Sequence, residues 1–171
     1  MPPMLHNVPV ARILGFLSLA SVTLLSWITY DGFRVSAGTL GTGAHIRFAL
    51  FGIVVVLFTH TMTLFYFVGT GSRIKTVVRE HALQASLADR TRRLKARLFP
   101  WLTFTPLVTM AAFIIGGGAH TRMVPGWAHG ALALGALGMN LVTTLLAILC
   151  LSENVALIEE IDAVLPETAG D

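Results

Sequence analysis

Six histidines occur in the sequence, and His60 lies deep inside an apolar run, FTHTMTLFYFVGTGS, that extends from Phe58 to Ser72. A buried imidazole needs a hydrogen-bond partner or a ligand, because an unpaired polar group in apolar surroundings costs free energy. One interpretation is a neutral ring that hydrogen-bonds to Thr, Asn or a backbone carbonyl of a neighbouring helix. A second is an axial ligand of haem b between helices. A third is quinone or proton handling beside Tyr66.

The haem interpretation requires a second ligand at the depth of His60. No other histidine reaches that depth, since His45 lies fifteen residues earlier, which is roughly 22 Å along a helix. Met139, Met110 or a histidine of a partner chain would have to supply the second ligand. We therefore predict haem b at His60, or else no cofactor. The proton interpretation lacks a relay, because the apolar runs contain no Asp, Glu, Lys or Arg.

Three further histidines, His45, His120 and His129, fall at the ends of apolar runs. Neutral imidazoles are good ligands for copper, zinc or haem iron. If the runs are helices, the three rings lie at one level near a membrane surface, and they predict a shared metal site. Their spacing matches no known metal motif, so interfacial histidines without a metal remain the alternative.

Basic residues are concentrated between Arg73 and Arg97, where the chain has eight Lys or Arg and two acidic residues. Such a cluster beside a membrane helix is typical of anionic-lipid binding. The C-terminal segment from Ser152 carries six acidic residues, up to Glu167 and Asp171, so neutralisation by helix packing is the competing interpretation and no nucleic-acid partner is expected. The candidate lipid-binding residues are Arg90, Arg92, Arg93, Lys95 and Arg97.

Motifs for catalysis are missing from the sequence. It has one cysteine, Cys150, and neither HExxH nor a phosphate-binding glycine motif. The glycines of GTG at 69–71 and GGG at 116–118 are better explained by close packing or helix ends. No catalytic residue is therefore assigned, and activity of the isolated chain is not expected.

The elements that position these residues are membrane helices. The chain has 171 residues, of which 54% are hydrophobic and 12% charged, a composition outside that of soluble domains. Four uncharged runs approach or exceed the ~18–20 residues that a helix needs to cross a bilayer. They cover residues 13–30, 48–72, 98–121 and 123–152.

The predicted fold class is an all-α integral membrane protein, a bundle of four transmembrane helices in one domain, residues 1–171. The basic cluster places the second connection, and both termini, in the cytoplasm, in a membrane that we expect to be the bacterial inner membrane. Extensions of helices 2 and 4 should pack together there. The expected spans are about 12–30, about 47–72 with an extension to about 97, about 99–118, and about 127–151 with an extension to about 165.

Helical spacing sorts the last span into two faces. Ala131, Gly135 and Gly138 form a stripe of small residues, whereas His129 shares a polar stripe with Asn140 and Thr144. Both stripes favour helix association in a bilayer, because small residues let backbones approach and polar residues form hydrogen bonds between helices.

Taken together, the sequence predicts a small subunit or self-associating scaffold of a larger membrane assembly, such as an electron-transfer complex. Its partners would be membrane lipids and other membrane subunits or copies of itself. Two alternatives stay open: a quinone-reactive or metal-dependent module that uses the outer histidines, and an organiser of anionic lipids.

Overall fold

The computed structural model describes residues 7–165, all of which belong to helices or to short connections between them. Each helix is long and apolar enough to cross a membrane. This confirms the predicted class, an all-α bundle of four apolar helices. The helices are α1 Asn7–Ser36, α2 Thr42–Glu80, α3 Ala85–His120 and α4 Gly126–Val164.

The helices are arranged in an up-and-down ring, in which each packs against the next and α4 returns to α1. Short connections force this arrangement, because neighbours joined by a few residues must run antiparallel. Two ends result. We call the end with residues 31–47 and 116–129 the histidine end, and the end with residues 73–97 and 152–165 the basic end.

The third helix begins earlier than the sequence indicated. Residues 85–97, which were expected to extend α2, form the start of α3, and α2 ends at Glu80. The turn between them uses Ala82, which adopts a φ of 49°. A left-handed residue is typical of helix ends but is usually glycine, so this turn has no obvious signal in the sequence. Pro100 consequently lies in the interior of α3, as does Pro106, rather than in a first turn.

A separate apolar cluster fills the basic end. Ile74 and Val77 of α2 pack with Leu157, Ile158 and Ile161 of α4, and all five are at most 1% exposed. Side chains of α2 and α4 thus meet at this end, and Leu87 of α3 joins the same cluster. Two ion pairs, Arg90 with Glu160 and Arg97 with Glu153, connect α3 to α4 around the cluster. The predicted charge neutralisation thus runs between α3 and α4. Glu167 and Asp171 lie outside the described residues.

Candidate functional site in the buried polar seam

Hydroxyl and amide side chains form a continuous polar seam along the axis of the bundle. Most are Ser or Thr, and several of their hydroxyls donate to the carbonyl four residues earlier, as Thr63 does to Thr59 at 2.8 Å. This local bond satisfies the hydroxyl within its own helix, so it can be buried in an apolar bundle at small cost. The seam consists of Ser18, Ser21, Thr59, His60, Thr63, Thr105, Thr109, Asn140, Thr143 and Thr144, each at most 7% exposed.

Hydrogen bonds across the seam connect the helices in pairs. The hydroxyls of Ser21 and Thr59 lie 2.9 Å apart and join α1 to α2. The amide of Asn140 donates to Thr109 Oγ1 at 2.9 Å and joins α4 to α3. A third such bond joins the hydroxyls of Thr105 and Thr143 at 2.7 Å. Each bond of this kind between membrane helices contributes about 0.6–2 kcal/mol.

His60 lies in the middle of the seam and is 6% exposed. Its Nδ1 is 2.9 Å from the carbonyl oxygen of Val56, and because a carbonyl only accepts, Nδ1 carries the proton. Nε2 is buried and has no hydrogen-bond partner among residues 7–165. The ring borders a cavity with about 10 Å³ of room for the centre of a water molecule, which is close to the minimum for one water. Thr144 of α4 also lines this cavity.

The surroundings of His60 have one feature of a ligating histidine, the hydrogen bond from its second ring nitrogen. They lack room for a porphyrin and a second ligand. A ligating imidazole usually donates its second N–H to a carbonyl or carboxylate, as His60 does to Val56. However, the cavity has room for a water and not for a porphyrin, and its lining includes neither Met110 nor Met139. Met110 is 39% exposed on the outside of α3. The residues present therefore do not fit haem b at His60.

The histidine end brings His45 and His129 together. Their rings meet edge to face with centroids 6.5 Å apart. His129 donates from Nδ1 to the carbonyl of Ala112 at 3.1 Å. His45 Nδ1 is buried and has no hydrogen-bond partner in the described part of the chain. Gly116 makes room for the His129 ring, since a Cβ on this glycine would come within 2.8 Å of it. Close packing thus accounts for Gly116, the first glycine of the GGG segment.

Asp31 is the functional candidate that the sequence reasoning missed. It was assigned to a connection, but α1 continues to Ser36, and Asp31 is a helical residue with 3% exposure. Its carboxylate pairs with Arg34 at 3.3 Å and is close enough to His45 to interact electrostatically. The i, i+3 spacing of Asp31 and Arg34 was a usable signal of a helical ion pair.

The predicted metal trio is only partly assembled. His120 is exposed at the end of α3, and across residues 7–165 no three His, Cys, Asp or Glu side chains are placed to hold a metal ion. His45 and His129 form a pair of rings without a third ligand. The three-histidine metal site thus gains no support from the geometry.

A second polar contact lies between the seam and the basic end. Asn154 is fully buried and donates from Nδ2 to the hydroxyl of Tyr66 at 3.2 Å, across the diagonal of the bundle. Nearby, Gly71 lies directly under Lys95 and Thr91, and a Cβ at this position would collide with both side chains. Gly71, the second glycine of GTG, is therefore required because α3 approaches α2 closely at this point.

The candidate lipid-binding residues do not form one patch. Arg90, Arg93 and Arg97 line a groove between α3 and α4. Arg92 is exposed and does not line it, while Lys95 turns towards Gly71 of α2. The five basic residues thus lie on different faces of α3.

The two stripes of α4 face in opposite directions. Asn140 and Thr144 are buried in the seam, whereas Ala131, Gly135 and Gly138 lie on the outside. No atom comes within 4 Å of a Cβ built on Gly135 or Gly138. The small-residue face thus packs against none of the described helices.

Comparison with models of known protein families, with curated proteins and with solved structures gave no match.

Proposed function

We propose that the protein is a small membrane subunit that pairs with a second copy of itself through the outward face of α4, within a larger membrane assembly. The observation that carries the proposal is the outward position of Ala131, Gly135 and Gly138, with open space where the glycine side chains would begin. Small residues let helix backbones approach closely, and close packing is a principal source of helix association in bilayers.

A second copy is the partner that this face fits best. A stripe of small residues is self-complementary, because two such helices can approach each other along the same line. A two-fold axis along the membrane normal would place the face of one copy against the same face of the other. The hydrogen bonds that join the helices along the polar seam are made within one chain. Pairing with a second copy therefore does not depend on the seam.

Disulfide crosslinking tests the pairing. In a Cys150→Ala background, we expect Ala131→Cys to give a covalent dimer when membranes are oxidised, because residue 131 would face its own copy near the end of α4. Ala136→Cys is the matched control, since Ala136 is 1% exposed and faces into the bundle. Equal crosslinking of the two variants, or none with Ala131→Cys, would count against pairing through this face.

We also propose that the basic end faces the cytoplasm of a bacterial inner membrane, with both termini on that side. The support is the excess of Lys and Arg at that end over the histidine end, which holds Arg34, Arg47 and Arg122.

A membrane-impermeant maleimide applied to spheroplasts tests this orientation. In the Cys150→Ala background, Thr121→Cys at the histidine end should react in intact spheroplasts. Ser86→Cys at the basic end should react only after lysis; both side chains are exposed. The reverse pattern would show that the orientation is inverted.

Membership of an electron-transfer complex rests on analogy with other small four-helix membrane subunits. Haem b is not carried into the proposal, because the cavity at His60 has room for one water. Within the proposed function His60 is a hydrogen-bonded core residue whose Nε2 faces that cavity.

A further inference from the structure

We propose that the groove between α3 and α4 at the basic end binds the headgroup of an anionic phospholipid. The groove has a volume of about 440 Å³ and is lined by Arg90, Arg93, Arg97, Leu94, Glu153, Ala156 and Leu157. Guanidinium groups and phosphate oxygens form paired, charge-assisted hydrogen bonds, so three Arg side chains around one groove are suited to a phosphodiester.

Ion pairing leaves the groove with an excess of positive charge. Arg90 pairs with Glu160 and Arg97 pairs with Glu153 across the groove. Among the ion pairs of the described residues there is none for Arg93, which is exposed at the rim. Arg93 is therefore the side chain that a phosphate would contact without displacing a carboxylate. Arg90 and Arg97, the other two arginines of the groove, would supply additional hydrogen-bond donors.

The groove continues into a surface suited to acyl chains. On α3, Trp101 and Phe104 follow Arg97 at i+4 and i+7, so they lie on the same face of the helix, and Phe104 is 60% exposed. On α4, Leu149 and Leu145 precede Glu153 by four and eight residues, which places them on the same face of that helix, and they are 50% and 63% exposed. From the headgroup level towards the hydrocarbon layer, a lipid-binding surface is expected to present arginine first, then tryptophan, then apolar side chains, and this surface has that order.

This order selects a phospholipid over a free phosphate ion. An inorganic phosphate would use only the guanidinium groups, whereas the exposed apolar walls on both helices require an amphiphile. Basic pockets between membrane helices near a surface are a recognised type of headgroup site. Of the five basic residues that the sequence suggested for lipid binding, the proposal retains the three that line the groove, Arg90, Arg93 and Arg97. It excludes Arg92.

The test measures lipid retention by native mass spectrometry of the full chain released from nanodiscs of phosphatidylglycerol and phosphatidylcholine. We expect wild type to retain phosphatidylglycerol preferentially. Arg93→Gln should lower the retained fraction about fivefold, the effect of one basic residue near an anionic headgroup. Arg92→Gln, one residue away and outside the groove, should match wild type. A melting curve of each variant checks that the bundle is intact.

Three outcomes would overturn the inference. Equal losses in Arg92→Gln and Arg93→Gln would show diffuse attraction by the basic end, without a defined groove. No loss in Arg93→Gln would show that the groove is not the site. Displacement of the lipid by excess inorganic phosphate would show that the groove recognises phosphate alone.

Discussion

Replacing Phe67 with Ala is expected to destabilise the bundle by about 2–3 kcal/mol. Phe67 is fully buried in the apolar core, where its ring meets Tyr66 edge to face at 5.5 Å. Truncation would leave a cavity, and the cost of a cavity rises with its volume. The effect should be smaller than the ~3–5 kcal/mol found in water-soluble cores, because lipid is as apolar as the core and the transfer term largely vanishes.

Phe65→Ala is the matched control for this prediction. Phe65 is two residues away on the same helix and is 61% exposed on the outside of the bundle. The free energy of unfolding, measured by titration of mixed micelles with a denaturing detergent, should change little for Phe65→Ala. Equal losses, or a larger loss for Phe65→Ala, would mean that α2 is rotated from the orientation described here.

The number and class of the helices could be predicted because length and hydropathy are enough to identify membrane spans. The start of α3 could not. The residues between Glu80 and Ala85 include neither Gly nor Pro, and the turn depends on Ala82 in a left-handed conformation. Residues 85–97 are polar enough to extend either neighbouring helix. In the folded chain these residues contact α4, among other ways through the ion pairs of Arg90 and Arg97.

The candidate site was predictable in depth but not in detail. Helical spacing placed Asn140 and Thr144 on one polar stripe of α4, and both side chains are buried in the seam. Counting residues along helices put three histidines at one level, yet level does not fix the direction of a side chain. Only His45 and His129 meet. Asp31 was missed because a charged residue after an apolar run was interpreted as the start of a connection.

Which stripe of α4 faces inward could not be decided from the sequence either, because both small and polar residues promote helix packing in a bilayer. The structure buries the polar stripe, where Asn140 bonds to Thr109 and Thr143 to Thr105. Hydroxyl and amide groups exposed to lipid would lack such partners, whereas glycine exposes little polar surface. The small residues were thereby left outside, and this placement is the basis of the proposed function.

Substitution of Gly135 by Leu is expected to weaken self-association at least tenfold, or about 1.4 kcal/mol. A leucine side chain would project from the outward face and hold the two backbones apart. The fold itself should tolerate the change, because nothing lies within 4 Å of a Cβ at this position. Gly69→Leu is the control, since Gly69 is an exposed glycine of α2 with equally open space.

The most direct measurement of the central claim is single-molecule photobleaching of the labelled protein in liposomes, over a range of protein-to-lipid ratios. We predict two-step bleaching that increases with protein density for wild type and Gly69→Leu. Gly135→Leu should remain monomeric to at least tenfold higher density. Identical curves for Gly135→Leu and wild type, or a monomeric wild type at every density, would contradict pairing through α4.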